Sequence, residues 1–276
     1  SSAASDVYKR QISLGNTHQD GIISSTGMDR YNVKVSADTK LTNNWSSGFT
    51  ANYITTSIDK AVTSGNGLLR TVYAAPPSYD LAGIPSHVDG NPYTQNSFRG
   101  SFDNAYWAME NNKFTEDTNR FFGNVYTSYQ TDFGTTNHKL NAKYMVGVDA
   151  YTTHYVDSYG YGSNTGGGRG QIENYGWTNA TYNSLLTINY DWHINEDWGL
   201  NAVVGNEIIQ SNRKKYYEYG TNYNFPGWNH INNATTQQTE EETWKNRTVG
   251  FFGNVSASYR NMLYLTLTCL LYTSPS

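Results

Sequence analysis

Tyr31-Asn-Val-Lys-Val-Ser-Ala-Asp38 alternates without a miss: Tyr31, Val33, Val35 and Ala37 are apolar, while Asn32, Lys34, Ser36 and Asp38 are polar. Successive side chains of a strand point to opposite faces, so this stretch predicts a β-strand with one oily and one wet face. The same period returns at Leu140, Ala142, Tyr144, Val146, Val148 and Ala150, interleaved with Asn141, Lys143, Met145, Gly147 and Asp149, and again at Trp198, Leu200, Ala202 and Val204. The chain reads as all-β.

Alternation is shared by soluble sandwiches, which turn the apolar face onto a second sheet, and by membrane barrels, which turn it to lipid. Strand length separates them. The runs 30–39, 45–56, 119–131, 139–152, 179–193, 198–210 and 247–260 each hold about ten residues or more, which is what a tilted strand needs to cross a bilayer. Sandwich strands have a mode near ~5–6 residues. The connections alternate as well: tight turns fall at 42–44, 132–138, 194–197 and 260–261, and long polar excursions occupy 57–118, 153–178 and 211–246. Short turns on one side and long loops on the other are the rhythm of an outer-membrane barrel, and Trp45, Trp192 and Trp198 sit beside the short turns as an interfacial girdle would. The expected fold is a partial transmembrane antiparallel β-barrel, a curved open sheet of about nine long strands with long extracellular loops.

Composition excludes other classes. With 276 residues, 37% hydrophobic, the chain has no apolar run approaching the ~18 residues of a transmembrane helix. A barrel hides its hydrophobicity in every second position, which suits 24 tyrosines and 25 glycines. The net charge of −4 with scattered Lys and Arg leaves no nucleic-acid footprint. The single cysteine, Cys269, cannot form an internal disulfide. His18, His87, His138, His154, His193 and His230 show no ligand spacing, and Gly166-Gly-Gly-Arg-Gly170 lacks the lysine and hydroxyl ending of a phosphate loop. Glu240-Glu-Glu242 lacks the spaced oxygen ligands of a calcium loop. No metal, no cofactor and no enzymatic activity is expected. A glycosidase would need two carboxylates roughly 5–10 Å apart across a cleft, and no pair stands out.

Ser1-Ser-Ala-Ala-Ser-Asp-Val-Tyr-Lys-Arg-Gln11 and Cys269-Leu-Leu-Tyr-Thr-Ser-Pro-Ser276 resemble translated sequencing-adaptor read-through. Residues 1–11 and 269–276 are therefore expected to be non-native, leaving 12–268 as an internal barrel piece. Within it, Phe121-Phe-Gly-Asn-Val-Tyr-Thr-Ser-Tyr129 and Phe251-Phe-Gly-Asn-Val-Ser-Ala-Ser-Tyr259 share seven of nine residues, as repeated descending strands would.

Several blocks carry a family likeness: Ala75-Pro-Pro-Ser-Tyr-Asp-Leu81, Asn91-Pro-Tyr93, Phe98-Arg-Gly-Ser-Phe-Asp-Asn104, Tyr106-Trp107, Asn111-Asn-Lys113 and Thr118-Asn-Arg-Phe-Phe-Gly-Asn124. Together with Ile12-Ser-Leu-Gly15, Gln19-Asp-Gly-Ile-Ile23 and Tyr264-Leu-Thr-Leu-Thr268 they resemble SusC-like, starch-utilisation-type TonB-dependent transporters. The resemblance implies a plug-filled barrel in the outer membrane of a Gram-negative bacterium, capped by a SusD-like surface lipoprotein. It implies import of oligosaccharides or peptides with energy from the TonB complex, through parts this sequence lacks. After Thr268 the sequence departs from the family's continuing strand.

A bulky solute needs a polar lumen, and the inward parity at Asn32, Lys34, Ser36, Asn52, Asn124, Asn141, Lys143, Asp149, Asn189 and Asp191 is its expected wall. Capture would fall to aromatic faces with polar tips in the outer loops, with Tyr106, Trp107, Tyr159, Tyr161, Trp177, Tyr223 and Trp228 as candidate solute or lid contacts. The competing reading is a secreted or surface β-sandwich that binds glycans, in which Val33, Val35, Val146 and Val148 would face a packed interior.

Overall fold

The computed structural model describes residues 8–62, 68–260 and 262–273. The strands are β1 (Tyr8–Asp20), β2 (Gly27–Lys40), β3 (Trp45–Lys60), β4 (Lys113–Thr131), β5 (His138–Tyr159), β6 (Gln171–His193), β7 (Trp198–Tyr223), β8 (Ala234–Tyr259) and β9 (Leu263–Tyr272). They form one antiparallel sheet in sequential order, β1 to β9, with β1 and β9 as its two edges. Two short helices, α1 (Leu68–Ala74) and α2 (Ala105–Asn111), lie in the connection between β3 and β4. No helix among the described residues is long and apolar enough to cross a membrane. Residues 8–11 and 269–272 lie in β1 and β9, paired with β2 and β8, and Thr273 follows β9 with its N–H donating to the Val249 carbonyl; residues 1–7 and 274–276 of the two ends expected to be non-native lie outside the described residues.

Cross-strand register sorts the side chains into two faces. Leu14, Val33, Tyr53, Phe121, Ala150 and Ala180 form one lateral row. Lys34, Asn52, Phe122, Asp149, Thr181 and Ser211 form a row on the opposite face. The apolar face is bare. Val33, Val125, Val146, Val204 and Val255 are all exposed, Val125 at 60%, and among the described residues no second sheet covers them. The sandwich expectation fails here, because its discriminating valines have no packed interior to face. Among the described residues the buried apolar side chains (Phe102, Ala105, Trp107, Ile172, Tyr223 and Ala234) all belong to the end of the molecule where the longer connections lie.

Side chains shape the turns at the other end. The Thr42 hydroxyl accepts from the backbone N–H groups of Asn44 and Trp45, the Asp132 carboxylate accepts from the Gly134 N–H, and the Asn195 carbonyl accepts from Asp197 and Trp198. Phe133 and Gly134 take positive φ of 55° and 75°, where the short Asp side chain stabilises the turn. Beside these turns Trp45 meets Tyr129 at 4.9 Å and Trp198 meets Tyr259 at 4.8 Å, centroid to centroid, on the apolar face. Arg260 ties two neighbouring turns by a forked pair to Asp197 at 2.8 and 3.2 Å.

The strands outrun their alternation. The excursions expected over 153–178 and 211–246 are mostly strand: β5 to β8 are 22, 23, 26 and 26 residues long, and the connections between them shrink to 160–170 and 224–233. Likewise β3 and β4 trim the expected 57–118 excursion to 61–112. The physical reason is that a ladder needs only backbone pairing, whereas alternation is imposed only where one face must be apolar. Beyond that band neither face is uniformly apolar, and the clean alternation of polar and apolar residues is lost.

Candidate functional site

The polar face and the loop end are the two places where chemistry gathers. Asn104 caps α2: its side-chain oxygen accepts from the Tyr106 and Trp107 N–H groups at 3.0 and 3.3 Å, satisfying donors that a helix start leaves unpaired. Its own N–H donates to Gln95, and its amide donates to the Asn96 carbonyl. The neighbouring Asp103 joins two loops, accepting from Gln95 at 2.8 Å and, across the gap, from the Ser163 hydroxyl and the Asn164 N–H at 2.6 Å each. Trp107 is 0% exposed and donates its indole N–H to the Pro92 carbonyl at 2.8 Å. Gly162, at φ 98°, passes so close to Trp107 and the Tyr93 carbonyl that a side chain there would collide with the backbone. A third loop joins through Asn229, which donates to the Asn111 carbonyl at 3.0 Å. The 91–112 segment is thus an ordered body packed by its own side chains, although 113–119 belongs to β4.

The seven aromatic candidates fall into three groups. Tyr106 and Trp228 are exposed, each at 43%. Trp228 is the middle of a parallel stack, 5.8 Å from Phe225 and 5.0 Å from His230. Trp177 is half-buried, tilted against Tyr155, with the Arg213 guanidinium 5.3 Å over its ring. Tyr159 packs edge-on to Phe114, and Tyr161 packs on the Ile172, Tyr223 and Ala234 cluster. Trp107 and Tyr223 have no exposed surface and so offer none to a solute or a partner. Burial also pushes the Tyr223 phenol up to about 12, its hydroxyl 3.3 Å from Ser158.

Sequence reasoning missed an aromatic row above the apolar band. Tyr155, Tyr175 and Tyr217 lie side by side on the polar face, with Tyr155 and Tyr175 stacked at 4.8 Å and 4°. One step further, Asp157 and Glu173 stand directly opposite each other. Burial, with Asp157 adding to it, raises the Glu173 carboxyl above its ordinary range. Tyr175 donates to Asp157 at 3.0 Å, and its own phenol is raised by burial and by that carboxylate. The period-2 spacing of Tyr155 with Asp157 and of Glu173, Tyr175 and Trp177 was present in the sequence, inside a segment read as loop.

Every residue named as a wall residue lies on one face. Lys34 pairs laterally with Asn52, Asn32 with Ile54, Ser36 with Thr50, Asn124 with Gly147, Asn141 with Asn189, Lys143 with Thr187, and Asp149 with Thr181. Asp191 follows Asn189 by two and pairs with Asn201. Among the described residues no group of three or more His, Cys, Asp or Glu side chains could hold a metal.

No protein-family model and no curated protein matches the sequence. Solved structures match in fold. A chain of the RagAB peptide importer in its open-open state superposes with a TM-score of 0.75 at 14% identity, covering 96% of this chain and 30% of that one. The closed-closed state gives 0.72 at 13% identity over 96% and 32%, and a further RagAB peptide transporter structure gives 0.71 at 12% over 96% and 30%. This chain therefore spans about a third of the length of the chains it matches and shares the fold of that part of them.

Proposed function

We propose that this chain forms part of the wall of an outer-membrane β-barrel transporter that imports peptides or oligosaccharides, working with a SusD-like surface lipoprotein and energised through the TonB complex. One observation carries the reading: a single sheet has an uncovered apolar face opposite a polar face, and the apolar band is one bilayer high. On β5 that band runs from Leu140 to Ala150, matching the ~9–11 residues of a tilted transmembrane strand. The fold shared with RagAB chains supports it. In this reading Val33, Val125 and Val146 face lipid, while Asn32, Lys34, Asn52, Asn124, Asn141, Lys143, Asp149 and Asn189 face the lumen. Tyr106 and Trp228, exposed at the loop end, are the contacts offered to solute or lid.

Face assignment tests it directly. In a Cys269→Ser background, single cysteines replacing Val146 or Asn141 are spin-labelled in lipid-reconstituted protein, and collision with oxygen and with a water-soluble nickel chelate is compared. The expected result is a lipid-phase signature at 146 and an aqueous one at 141. Aqueous signatures at both positions would overturn the membrane assignment.

A further inference from the structure

On two strands the bare outward face turns cationic just above the apolar band. Tyr259, Val255, Phe251 and Val249 share that face of β8, and the next two positions on it toward the loop end are Arg247 and Lys245. Across from them on β7 stand Gln210 and Asn212, followed on the same face by Lys214. We infer that this corner of the outward face binds the phosphomonoester headgroup of a lipid in the outer leaflet. The inference rests on the membrane reading, which puts these side chains at headgroup height.

Height follows from strand geometry. The apolar run from Tyr259 up to Val249 matches the ~9–11 residues that a tilted strand needs to cross the hydrocarbon. Arg247 and Lys245 then stand about 7 and 13 Å further along the strand, at ~3.3 Å per residue, and long cationic side chains at such a border reach the headgroups. At matching heights Asp29 on β2 and Asp117 on β4 are acidic, and Thr152 on β5 and Thr178 on β6 are neutral. Among the described residues, Lys and Arg gather on the outward face at this height only on β7 and β8. The β7–β8 ladder runs unbroken past all three cations, so their facing does not depend on what pairs with the other edge of β8.

Charge balance sets the ligand class. Lys214 is neutralised by Glu241 at 2.8 Å, whereas no carboxylate among the described residues pairs with Lys245 or Arg247. The Gln210 side-chain oxygen accepts from Arg247 Nε at 2.9 Å and from one of its terminal nitrogens. That bond fixes the guanidinium plane and leaves its outer edge for a two-pronged contact with phosphate oxygens. Gln210, Lys245, Asn246 and Arg247 border a depression of about 310 Å³, at the small end of the roughly 300–1,000 Å³ that small-molecule sites occupy. A phosphomonoester carries about −1.5 to −2 charge near neutral pH, which two uncompensated cations match. A phosphodiester carries a single charge and would leave one of them unmatched.

The test uses this whole chain refolded in dodecylmaltoside micelles, with bound lipid counted by native mass spectrometry. The probes are dioleoyl phosphatidic acid, dioleoyl phosphatidylglycerol and soluble glycerol 3-phosphate. One phosphatidic acid per chain is expected, held about fivefold more tightly than phosphatidylglycerol, the equivalent of one further charge contact, with glycerol 3-phosphate not retained. Lys245→Gln and Arg247→Gln should each weaken phosphatidic acid binding about fivefold, the worth of one cation beside an anionic headgroup. Lys214→Gln, which removes a cation already paired to Glu241, should change it less than about twofold. All three positions are exposed, so the variants alter charge rather than packing, and strand content by circular dichroism checks that each has folded. Equal affinity for the two lipids, unchanged binding in the Lys245→Gln/Arg247→Gln double variant, or retention of glycerol 3-phosphate as firmly as the lipid overturns the site. Spin-label accessibility at position 146 in lipid bilayers reads the membrane assignment separately. A lipid-phase signature there without headgroup selectivity removes the site and leaves the membrane reading standing.

Discussion

At the scale of single residues, parity decides cost. Val146 lies on the bare apolar face near mid-band, 46% exposed, and Asn141 lies on the polar face. In lipid-reconstituted protein, Val146→Arg is expected to cost about 2–4 kcal/mol, the penalty for a cation near the bilayer midplane, and Asn141→Arg much less. Urea titration of the reconstituted variants checks this, and equal costs would contradict the facing. Trp107 is a different case. Although it reads from sequence as a contact surface, its burial and its bond to Pro92 make it the pin of the loop body. Trp107→Ala leaves a large cavity of the kind that costs about 3–5 kcal/mol, so faster amide exchange is expected across 91–112 and 160–166, with the β4–β5 ladder below unchanged. Sequence could locate Trp107 in an aromatic segment. Its burial brings in Gly162, 55 residues away, whose backbone passes beside the ring.

At the scale of elements, the unforeseen feature is how far β5 to β8 rise beyond the apolar band. The Asp157 and Glu173 pair tests how firmly that upper ladder holds. Glu173 has its folded-state pKa raised above the ordinary value of 4.5 by burial and by Asp157, so between those values the folded state binds more protons than the unfolded. Stability is therefore fully present below the ordinary value and is lost as pH rises through the raised one. The side chain is partly solvated, so screening limits the effect to about 1 kcal/mol or less. Hydrogen exchange at the β5–β6 strand ends should quicken as pH rises from 4 toward neutrality, beyond the intrinsic chemical rate, and Glu173→Gln should flatten that excess. An unchanged excess in Glu173→Gln would exclude the pair as its cause.

At the scale of the molecule, the sheet is open. β1 and β9 each have one partner, and β9 is exposed along its whole length, with Leu263, Leu265, Leu267 and Leu271 bare. Unpaired edges in lipid leave backbone groups unsatisfied, and in water an apolar edge recruits other chains. This chain expressed by itself is expected to aggregate in buffer and to refold only in detergent, with a broad melt. A monomer in buffer with a sharp cooperative transition, by analytical ultracentrifugation and calorimetry, would contradict that expectation.

What the sequence by itself determined is the all-β class, the two faces and the short turns. These are local properties: side-chain period is fixed by strand geometry at every residue, and Thr42, Asp132 and Asn195 form turns with atoms two or three residues away. The tertiary structure decided where strands end above the apolar band, which aromatics are buried and what stands beside Gly147. Each of those depends on partners far along the chain: Asp103 on Ser163, Asn111 on Asn229, and Gly147 on Asn124 and Asn183 across two hydrogen-bonded neighbours. A glycine in a strand reads as a mere gap in the alternation until the neighbouring strands are laid beside it, and only then is the space beside Gly147 seen to hold the Asn183 amide.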